Sequence, residues 1–335
     1  MKHSPLIRLL LSPLSVIYGT YVRFRQWLYS RGWLRQKRLR GVVISIGNLS
    51  VGGTGKTPMV LWLAERLLAR GKKVAILSRG YLGSNGTSDE IELMKRHLQD
   101  RVEFGIGKNR FLEGQRIEAQ HHIDVFLLDD GFQHFALARD LDIVLIDASR
   151  EMAKERLLPA GNLREPFSAM MRADLLVFTR VENAPQARAA IQRMGKIPVF
   201  AAETRLLGFR LLGGNAAVFP AAALGPGPFF GFCGIGNPEA FFRDLETWSV
   251  PIAGARIFRD HFRYGPNDLA LLERAAAQAN AKAFVTTEKD AENLAGLVFS
   301  SLPVYVSVID LELSPEADFL AVIDRAFEMR VGAAA

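Results

Sequence analysis

The stretch Gly52-Gly53-Thr54-Gly55-Lys56-Thr57 decides the fold. It follows the apolar run 42–46 and leads into a helical pattern at 59–64, so it is a glycine-rich turn between a strand and a helix. Glycines let such a turn fold back until successive backbone N–H groups point inward at phosphate oxygens. The ammonium of Lys56 would reach the β- and γ-phosphates, and the hydroxyl of Thr57 would bind Mg²⁺. The sequence therefore predicts a nucleoside triphosphate site.

This phosphate-binding loop differs from the standard eight-residue pattern at one position. Ser50 stands where that pattern has its first glycine. The closing positions fit, because a glycine, a lysine and a hydroxyl-bearing residue follow one another in the required order. The complete set of nucleotide-binding residues predicted from the pattern is Ser50, Val51, Gly52, Gly53, Thr54, Gly55, Lys56 and Thr57.

Length and composition favour a chain of about two domains, because it has 335 residues. With 49% hydrophobic residues it can bury a sizeable core. The single cysteine, Cys233, excludes a disulfide framework and a cysteine-rich zinc site, and it fits a reducing compartment. Around 207–217 the pattern changes to short apolar runs broken by Gly and Pro. We therefore predict a core domain over 41–207, a smaller α/β domain over 208–335, and a separate segment over 1–40.

Apolar runs of strand length recur along the chain, with helical patterns between them. Because a strand, a helix and a second strand in succession form a right-handed βαβ unit, these runs predict a parallel sheet. The expected fold is α/β, a P-loop NTPase-like parallel sheet flanked by helices, with a second, smaller α/β domain and a membrane-associated N-terminal helix. A glycine-rich loop is predicted at 79–86. The predicted strands are 42–46, 73–79, 123–128, 141–146, 175–178 and 199–201 in the first domain and 229–233, 283–287 and 304–308 in the second, before a closing helix at 315–330.

The net charge of +7 is concentrated at one end of the chain. Residues 1–40 contain nine Lys or Arg and no Asp or Glu, whereas residues 41–335 contain 33 basic and 35 acidic residues. The body of the protein is therefore not basic, which argues against a nucleic-acid partner.

The basic segment 1–40 is also rich in apolar and aromatic side chains. Its longest uncharged run, 9–22, has 14 residues. That is short of the roughly 18–20 residues that span a bilayer. An interfacial segment fits better, with aromatic rings at headgroup depth and arginines on anionic lipid. Two alternatives stay open, a helix packed on the body of the protein and a mitochondrial presequence.

A second nucleotide-related feature is the strand 123–128, which ends in Asp129 and Asp130. A carboxylate at the end of a buried strand beside the phosphate loop can hold Mg²⁺ directly or through water. Two adjacent carboxylates are more than a metal ligand requires. Asp129 is therefore the predicted metal ligand, together with Thr57.

The identity of the nucleotide base is predicted from the lack of a match to the guanine-recognition motif of GTPases. GTPases recognise guanine with Asn/Thr-Lys-x-Asp, and in Thr287-Glu288-Lys289-Asp290 the lysine comes one place late. Adenine is therefore the expected base. The partitioning and metal-pump ATPases have a signature lysine just before the first glycine of their loop, where this chain has Val51. Their mechanism is therefore not expected here.

Several short motifs occur along the chain in a fixed order. They are 46–51 before the loop, Ser78-Arg79-Gly80-Tyr81, 128–134, 139–145, 158–166, 232–238 and Thr287-Glu288-Lys289-Asp290-Ala291. Taken together, these motifs resemble those of the tetraacyldisaccharide 4′-kinases, the lipid A 4′-kinase family, and the resemblance extends over essentially the whole chain. Asp89-Glu90 usually lies between Gly and Pro in that family, whereas Ser88 and Ile91 flank it here, and Asn162 stands where Pro is frequent.

The resemblance implies an activity and a location. Members of the family act at the cytoplasmic face of the bacterial inner membrane, in lipopolysaccharide biosynthesis. They transfer the γ-phosphoryl group of ATP, with Mg²⁺, to the 4′-hydroxyl of a tetraacylated glucosamine disaccharide 1-phosphate. The expected partners are this lipid A precursor and the lipid surface, with no nucleic acid and no obligate protein partner. The competing hypothesis is a membrane-recruited ATPase that acts as a nucleotide switch.

The resemblance also implies roles for single residues. Asp89 is the expected catalytic base, oriented by His261, while Lys56 neutralises the triphosphate. Glu165 joins Thr57 and Asp129 as a metal ligand. Arg110, Arg164 and Asp130 are the expected substrate-binding residues.

The residues alone leave several of these roles open. The candidates for the base are Asp89, Asp130, His134 and His261, and a base must lie within about 3 Å of the proton that it takes. From its position alone, Asp89 is better explained as an N-cap or N-terminal dipole residue of the following helix. His261 is equally well explained as an ordinary polar residue.

Overall fold

The structure is a computed structural model that describes residues 5–80, 88–184, 197–214, 217–294 and 296–332. The chain divides into two compact units. The first contains residues 1–87, 97–204 and 311–335, and the second contains residues 88–96 and 205–310. From Tyr81 onward, the predicted loop 79–86 lies outside the described residues.

This division differs from the predicted boundaries of 1–40, 41–207 and 208–335. The segment from Leu311 onward belongs to the first unit, and so does the N-terminal helix, whereas 88–96 belongs to the second unit. The reason for the first difference is local packing. The ring of Phe319 in the last helix packs edge-on against Trp62 and Phe200, with ring centroids 5.6 and 5.2 Å away.

The first unit is built on parallel strands. Neighbouring strands follow the order β3-β2-β4-β1-β5-β6-β7. The pairs are parallel, and every residue of β1 and β5 is buried, as the near-continuous apolar runs in the sequence require. The strands are β1 Val42–Asn48, β2 Val74–Ser78, β3 Glu103–Ile106, β4 Val125–Asp129, β5 Leu141–Asp147, β6 Leu175–Thr179 and β7 Val199–Leu211, the last of which continues into the second unit.

The second unit repeats this architecture on a smaller scale. Its strands follow the order β11-β10-β8-β9 in parallel pairs. A cluster of aromatic rings fills its core, with Phe232 and Phe284 fully buried. The strands are β8 Phe229–Cys233, β9 Ile252–Ile257, β10 Ala283–Thr287 and β11 Val304–Ser314, which continues into the first unit.

Among the described residues, the α-helices are α1 Pro5–Ser30, α2 Lys56–Ala69, α3 Asp89–Leu98, α4 Arg110–Glu118, α5 Pro238–Thr247, α6 Pro266–Gln278, α7 Glu288–Asn293 and α8 Glu316–Gly332. Helices α2 to α4 follow strands β1 to β3 one by one, and α5 to α8 follow β8 to β11 in the same way, so the predicted α/β fold with a parallel sheet is confirmed. Two strands, β3 and β9, were not predicted from the sequence.

The N-terminal helix α1 packs on the first unit through its polar side. The hydroxyl of Ser15 donates to the carbonyl of Leu157 at 3.0 Å and accepts from the N–H of Ala160 at 3.1 Å. One turn further on, the hydroxyl of Tyr18 donates to the carbonyl of Arg164 at 3.0 Å. The alternative of a helix packed on the body is therefore correct for this side of α1.

The opposite side of α1 is apolar and faces solvent. In an ordinary amphipathic helix the solvent side is polar, so the arrangement is reversed here. Within the described residues, no helix is both long and apolar enough to cross a membrane. The large apolar side chains exposed on α1, each between 42% and 70% accessible, are Leu6, Ile7, Leu9, Leu10, Leu14, Val16, Ile17, Tyr21, Phe24 and Trp27.

Candidate active site

The phosphate-binding loop connects the end of β1 at Asn48 to the start of α2 at Lys56. Gly52 and Gly55 have φ angles of 104° and 86°. Side-chain-bearing residues rarely adopt such left-handed backbone, so both positions require glycine. The amide of Asn48 donates to the hydroxyl of Thr54 at 2.7 Å and fixes the loop from within.

The residues that follow β6 support the same loop from outside. The hydroxyl of Thr179 donates to the carbonyl of Thr54 at 3.1 Å, and the guanidinium of Arg180 donates to the carbonyl of Gly53 at 3.1 Å. Arg180 is held in turn by the fully buried carboxylate of Asp147 at 2.8 Å. The sequence analysis missed these supports. They could have been predicted, because polar residues at the carboxyl end of a predicted parallel strand lie at the ligand-binding edge of a sheet.

A short backbone pairing brings two predicted site residues beside the loop. Ser50 bridges Leu163 in antiparallel fashion, and the N–H of Arg164 donates to the carbonyl of Leu49 at 2.7 Å. This pairing places Arg164 and Glu165 next to the residues that precede the glycines.

Asp130 lies between two cations. The guanidinium of Arg164 donates to one of its carboxylate oxygens at 2.6 Å, and the ammonium of Lys56 lies 3.7 Å from the other. Asp130 adopts a left-handed backbone with φ of 52°, an uncommon conformation for a residue with a side chain. The predicted residues Lys56, Asp130 and Arg164 therefore come together as one charged cluster.

Thr57 and Asp129 provide oxygen ligands that suit Mg²⁺. Thr57 lies in the first turn of α2, and Asp129 ends β4 with its backbone opposite Ile46 of β1. Both are buried, and the hydroxyl of Ser78 donates to Asp129 at 3.0 Å, which orients the carboxylate. In the part of the chain that the structure describes, no group of three or more His, Cys, Asp or Glu side chains forms a metal cluster. A metal held by Thr57 and Asp129 would thus complete its coordination with phosphate oxygens and water, as Mg²⁺ does at nucleotide sites.

The loop also presents polar atoms that a ligand would satisfy. Among the described residues, the side-chain carbonyl of Asn48 and the hydroxyl of Ser50 are buried without a hydrogen-bond partner. Buried polar atoms in folded proteins are nearly always paired, so these two are consistent with a polar ligand at the loop.

Glu165, the third predicted metal ligand, is paired with a cation. Its carboxylate is completely buried and accepts from the guanidinium of Arg172 at 2.7 Å. The same guanidinium lies over the ring of Phe132, 4.2 Å from its centroid. A buried carboxylate needs such compensation, and the pairing fixes its position beside the loop.

Arg110 lies at the first turn of α4 and is 6% exposed. Burial lowers the pKa of its guanidinium, while the charges of Asp130 and Asp129 raise it. Its Nε atom has no hydrogen-bond partner among the described residues. Nearby, burial and the charges of Arg110 and three further arginines lower the pKa of His134 to about 4. His134 is therefore neutral at physiological pH and surrounded by cations.

In the second unit, Asp89 and His261 come together across 172 positions of sequence. The Nδ1 atom of His261 lies 2.9 and 3.0 Å from the two carboxylate oxygens of Asp89. The Asp89 side chain is 5% exposed and the His261 side chain 48%. Ser88, not Asp89, caps α3, since its hydroxyl accepts from the N–H of Ile91 at 3.4 Å.

The pair stabilises its charged forms mutually. Burial raises the pKa of the Asp89 carboxyl, but the hydrogen bond from His261 and the charge of Lys289 outweigh it, so that this pKa lies below its usual value. The hydrogen bond to Asp89 raises the pKa of His261 against the opposing effect of burial. At neutral pH the pair therefore consists of an ionised Asp89 carboxylate hydrogen-bonded to His261, whose pKa is raised.

The backbone around His261 is held in an uncommon conformation, with φ of 56°. Its N–H donates to the carbonyl of Gly234 at 3.0 Å. Gly234 is fixed in turn by the buried carboxylate of Asp290, which accepts from its N–H and from the hydroxyl of Tyr264, each at 2.7 Å. Strained residues persist where the surroundings determine them, and they are frequent at functional sites.

Comparison with known proteins gives consistent results. The family model described as tetraacyldisaccharide-1-P 4′-kinase matches residues 7–328. A tetraacyldisaccharide 4′-kinase of Geobacter metallireducens is 41% identical over 338 residues, which cover 96% of this chain and 98% of that protein. A tetraacyldisaccharide 4′-kinase of Geobacter sulfurreducens is 39% identical over 330 residues, which cover 93% of this chain and 91% of that protein.

A solved structure shows the same fold. The crystal structure of LpxK from Aquifex aeolicus in complex with ATP superposes with a TM-score of 0.76 at 30% sequence identity, covering 96% of this chain and 99% of that one. On the evidence of the family model, the two relatives and this structure, the chain belongs to the tetraacyldisaccharide 4′-kinase family.

Proposed function

We propose that Asp89 accepts the proton of the acceptor hydroxyl while Lys56 and the loop amides neutralise the triphosphate of ATP. The reaction is the transfer of the γ-phosphoryl group of ATP to the 4′-hydroxyl of a tetraacylated glucosamine disaccharide 1-phosphate, a lipid A precursor. Phosphoryl transfer asks a protein chiefly for positioning, charge neutralisation and orientation of the attacking hydroxyl. The observation that carries the assignment of the base is the buried Asp89 carboxylate with His261 hydrogen-bonded to it.

The other candidates for the base are less suitable. The carboxylate of Asp130 already pairs with Arg164 and lies 3.7 Å from Lys56. His134 would become a cation on accepting a proton, and the charges of the neighbouring arginines oppose that. His261 has a raised pKa and is protonated over more of the physiological range than an ordinary histidine. Asp89 is ionised, is fixed in position, and lies at the first turn of a helix.

ATP binds with Mg²⁺, for which Thr57 and Asp129 are the proposed ligands, with Glu165 close to the loop. The ion supplies positive charge that neutralises the β- and γ-phosphates and aligns them. Lys56 adds a charge that acts on the transferring group, and its ammonium lies 3.7 Å from the carboxylate of Asp130.

Arg110 and Arg164 are proposed to bind the phosphate that the acceptor already carries. A planar guanidinium binds phosphate through two parallel hydrogen bonds. Arg110 is buried with an unsatisfied donor, so a phosphate would supply the missing partner. Asp130 would then hold Arg164 in place through their short ion pair.

The exposed apolar side of α1 is proposed to dock on the membrane. A tetraacylated disaccharide lies in the bilayer with its sugars at the headgroups, so an enzyme acting on it must reach the interface. The helix is fixed to the first unit by its polar side, which leaves ten large apolar side chains, Leu6 to Trp27, facing outward. Such a face, with arginines near it, suits an anionic lipid surface. We place this docking at the cytoplasmic face of the bacterial inner membrane.

Turnover of labelled ATP, measured with and without the lipid A precursor in detergent, tests the proposed function. The kinase should consume ATP and label the 4′ position only when the acceptor is present. A membrane-recruited nucleotide switch should instead hydrolyse ATP without acceptor. Equal hydrolysis in both reactions, with no labelled lipid, would contradict the kinase assignment.

Membrane docking predicts the behaviour of a surface variant. Replacing Leu10, Leu14 and Ile17 together by glutamine should reduce the fraction of protein that sediments with anionic vesicles at least about tenfold, since each removes exposed apolar area worth roughly 1 kcal/mol or more. High salt alone should release the wild-type protein only in part, because screening weakens the arginine contribution and leaves the apolar one.

The matched control replaces three large apolar side chains exposed elsewhere, Leu207, Val298 and Met329, by glutamine. This variant should sediment with vesicles like the wild type. Both variants should keep the wild-type melting temperature, because the replaced side chains face solvent. If the α1 variant bound vesicles normally but melted at a lower temperature, the apolar side of α1 would be a packing surface and the docking proposal would be wrong.

A further inference from the structure

The motif Thr287-Glu288-Lys289-Asp290-Ala291 has no role in the mechanism so far. It begins at the end of β10 and forms most of the short helix α7. The hydroxyl of Thr287 caps this helix by accepting from the N–H of Asp290 at 3.2 Å and donates to its carboxylate at 2.6 Å. These two contacts fix the orientation of α7 relative to the end of β10.

Two side chains of α7, four residues apart, contact the first turn of α3. The ammonium of Lys289 donates to the carboxylate of Glu90 at 2.5 Å. The amide of Asn293 donates to the carboxylate of Asp89 at 3.3 Å. Residues at this spacing lie on one face of a helix, one above the other. The same face of α7 thus holds both acidic residues at the start of α3.

The contact with Asp89 complements that of His261. One oxygen of the Asp89 carboxylate receives Asn293, both oxygens lie within hydrogen-bond distance of His261 Nδ1, and the N–H of Glu90 donates to Asp89 at 3.0 Å. A carboxylate with donors on both oxygens cannot rotate without losing a hydrogen bond. Its remaining lone pairs therefore point in a fixed direction.

The charge of Lys289 acts on Asp89 in addition to these hydrogen bonds. The pKa of Lys289 lies above its usual range, because the carboxylates of Glu90 and Asp89 outweigh the burial that lowers it. Lys289 is consequently charged, and its charge lowers the pKa of Asp89 and also that of His261. The other charged groups that face the pair are Asp260 beside His261, Asp290 on α7, and Glu90 on α3.

We propose that Lys289 and Asn293 are positioning residues for the reaction, which hold the Asp89 carboxylate in the orientation that accepts the hydroxyl proton. The inference rests on the proposed function, since it assigns the two residues to the same base. Lys289 acts through Glu90 and through its charge, and Asn293 acts by a direct hydrogen bond. Both act on the acceptor hydroxyl through Asp89.

The test compares two ion pairs that join the same two helices. Lys289→Met removes the pair with Glu90 next to Asp89, and Arg96→Met removes the pair between Arg96 and Glu292 at 2.9 Å, farther along α3. Lys289→Met should lower kcat about tenfold with an unchanged KM for ATP, because a misplaced base slows the chemical step alone. Arg96→Met should leave kcat within about twofold of the wild type, and Lys289→Arg should recover most of it.

A spectroscopic measurement gives a second readout that does not depend on turnover. The ring Cε1–H resonance of His261, assigned by its absence in His261→Gln, is titrated by NMR in each variant. Loss of the Lys289 charge should raise the pKa of His261, and Asn293→Asp should raise it further because it adds a carboxylate beside the pair. Arg96→Met should leave the titration unchanged. Asn293→Asp also keeps the side-chain shape, so it serves if Lys289→Met does not fold.

The outcomes separate this inference from the proposed function. If Lys289→Met and Arg96→Met behave alike in both measurements, or if His261 titrates in Asn293→Asp as in the wild type, the positioning role is wrong. An Asp89→Asn variant, assayed in parallel, should lose activity in either case. Full activity in Asp89→Asn would instead overturn the assignment of Asp89 as the base.

Discussion

Lys56→Ala is expected to lower the rate of lipid phosphorylation at least about 100-fold while the protein stays folded. The side chain of Lys56 is 12% exposed and points its ammonium toward Asp130 at 3.7 Å, too far for a strong ion pair. Its removal therefore costs little stability. In the proposed mechanism the same ammonium compensates negative charge on the phosphate oxygens, and no other residue of the loop 50–57 has a positively charged side chain.

The rate is measured with labelled ATP and the lipid A precursor in detergent, and folding is followed by a melting curve. Arg66→Ala is the matched control, because it removes a positive charge from the other end of α2, where Arg66 pairs with Glu316 at 2.7 Å. The control should keep near-wild-type turnover. Wild-type turnover in Lys56→Ala would mean that the loop does not bind the transferring phosphate.

The phosphate loop was predictable because its geometry is local. Strand β1, the two glycines with positive φ, and the start of α2 lie within fifteen residues, and each residue type has a specific physical reason. Asp129 was predictable for a related reason. It ends an apolar strand, and in a parallel sheet the carboxyl ends of neighbouring strands lie at one edge.

The partners of the charged residues were not predictable from local patterns. Arg164 reaches Asp130 because residues 162–164 pair with the chain before the glycines, and an isolated pairing of this kind leaves no periodic signal. Glu165 pairs with Arg172 at the end of the short 3₁₀ helix that follows it. The family resemblance named both residues, but only the structure shows what compensates their charge.

The strands that escaped prediction are the ones with weak apolar patterns. β3, Glu103–Ile106, has four residues and begins with an acid, and β9, Ile252–Ile257, alternates buried and exposed positions through Gly and Ala. The two compact units differ from the predicted domains for another reason. Residues 88–96 and 311–335 belong to units whose other residues lie more than a hundred positions away in the sequence. A change in local composition does not reveal contacts over such a separation.

The stretch Thr287-Glu288-Lys289-Asp290 is close to the guanine-recognition motif of GTPases. It was not predicted to be a guanine site, because its lysine comes one place late. Lys289 instead contacts Glu90, and Asp290 holds Gly234 and Tyr264. The sequence contained no sign that these residues surround Asp89, because the first turn of α3 lies about 200 positions earlier.

Asp89→Ala and His261→Ala are each expected to lower kcat about 100-fold or more, with little change in the KM for ATP. In the proposed mechanism both residues act on the acceptor hydroxyl and not on the nucleotide. Because the histidine is proposed to orient the carboxylate through the 2.9 Å hydrogen bond, its contribution disappears once the carboxylate is absent. The double variant should therefore be hardly slower than the more damaged single variant.

Single-turnover rates over a range of ATP concentrations, measured for both single variants and the double variant, complete the cycle. His122→Ala is the matched control, since it also removes a histidine next to an aspartate, the exposed pair His122–Asp124 at 3.3 Å, and should leave turnover intact. Losses that multiply would mean that Asp89 and His261 act independently. A defect confined to the KM for ATP would mean that the pair binds nucleotide. If His261 acts only through its hydrogen bond to Asp89, replacing either residue already removes the contribution of His261 to the rate. The losses in the two single variants should therefore not multiply in the double variant.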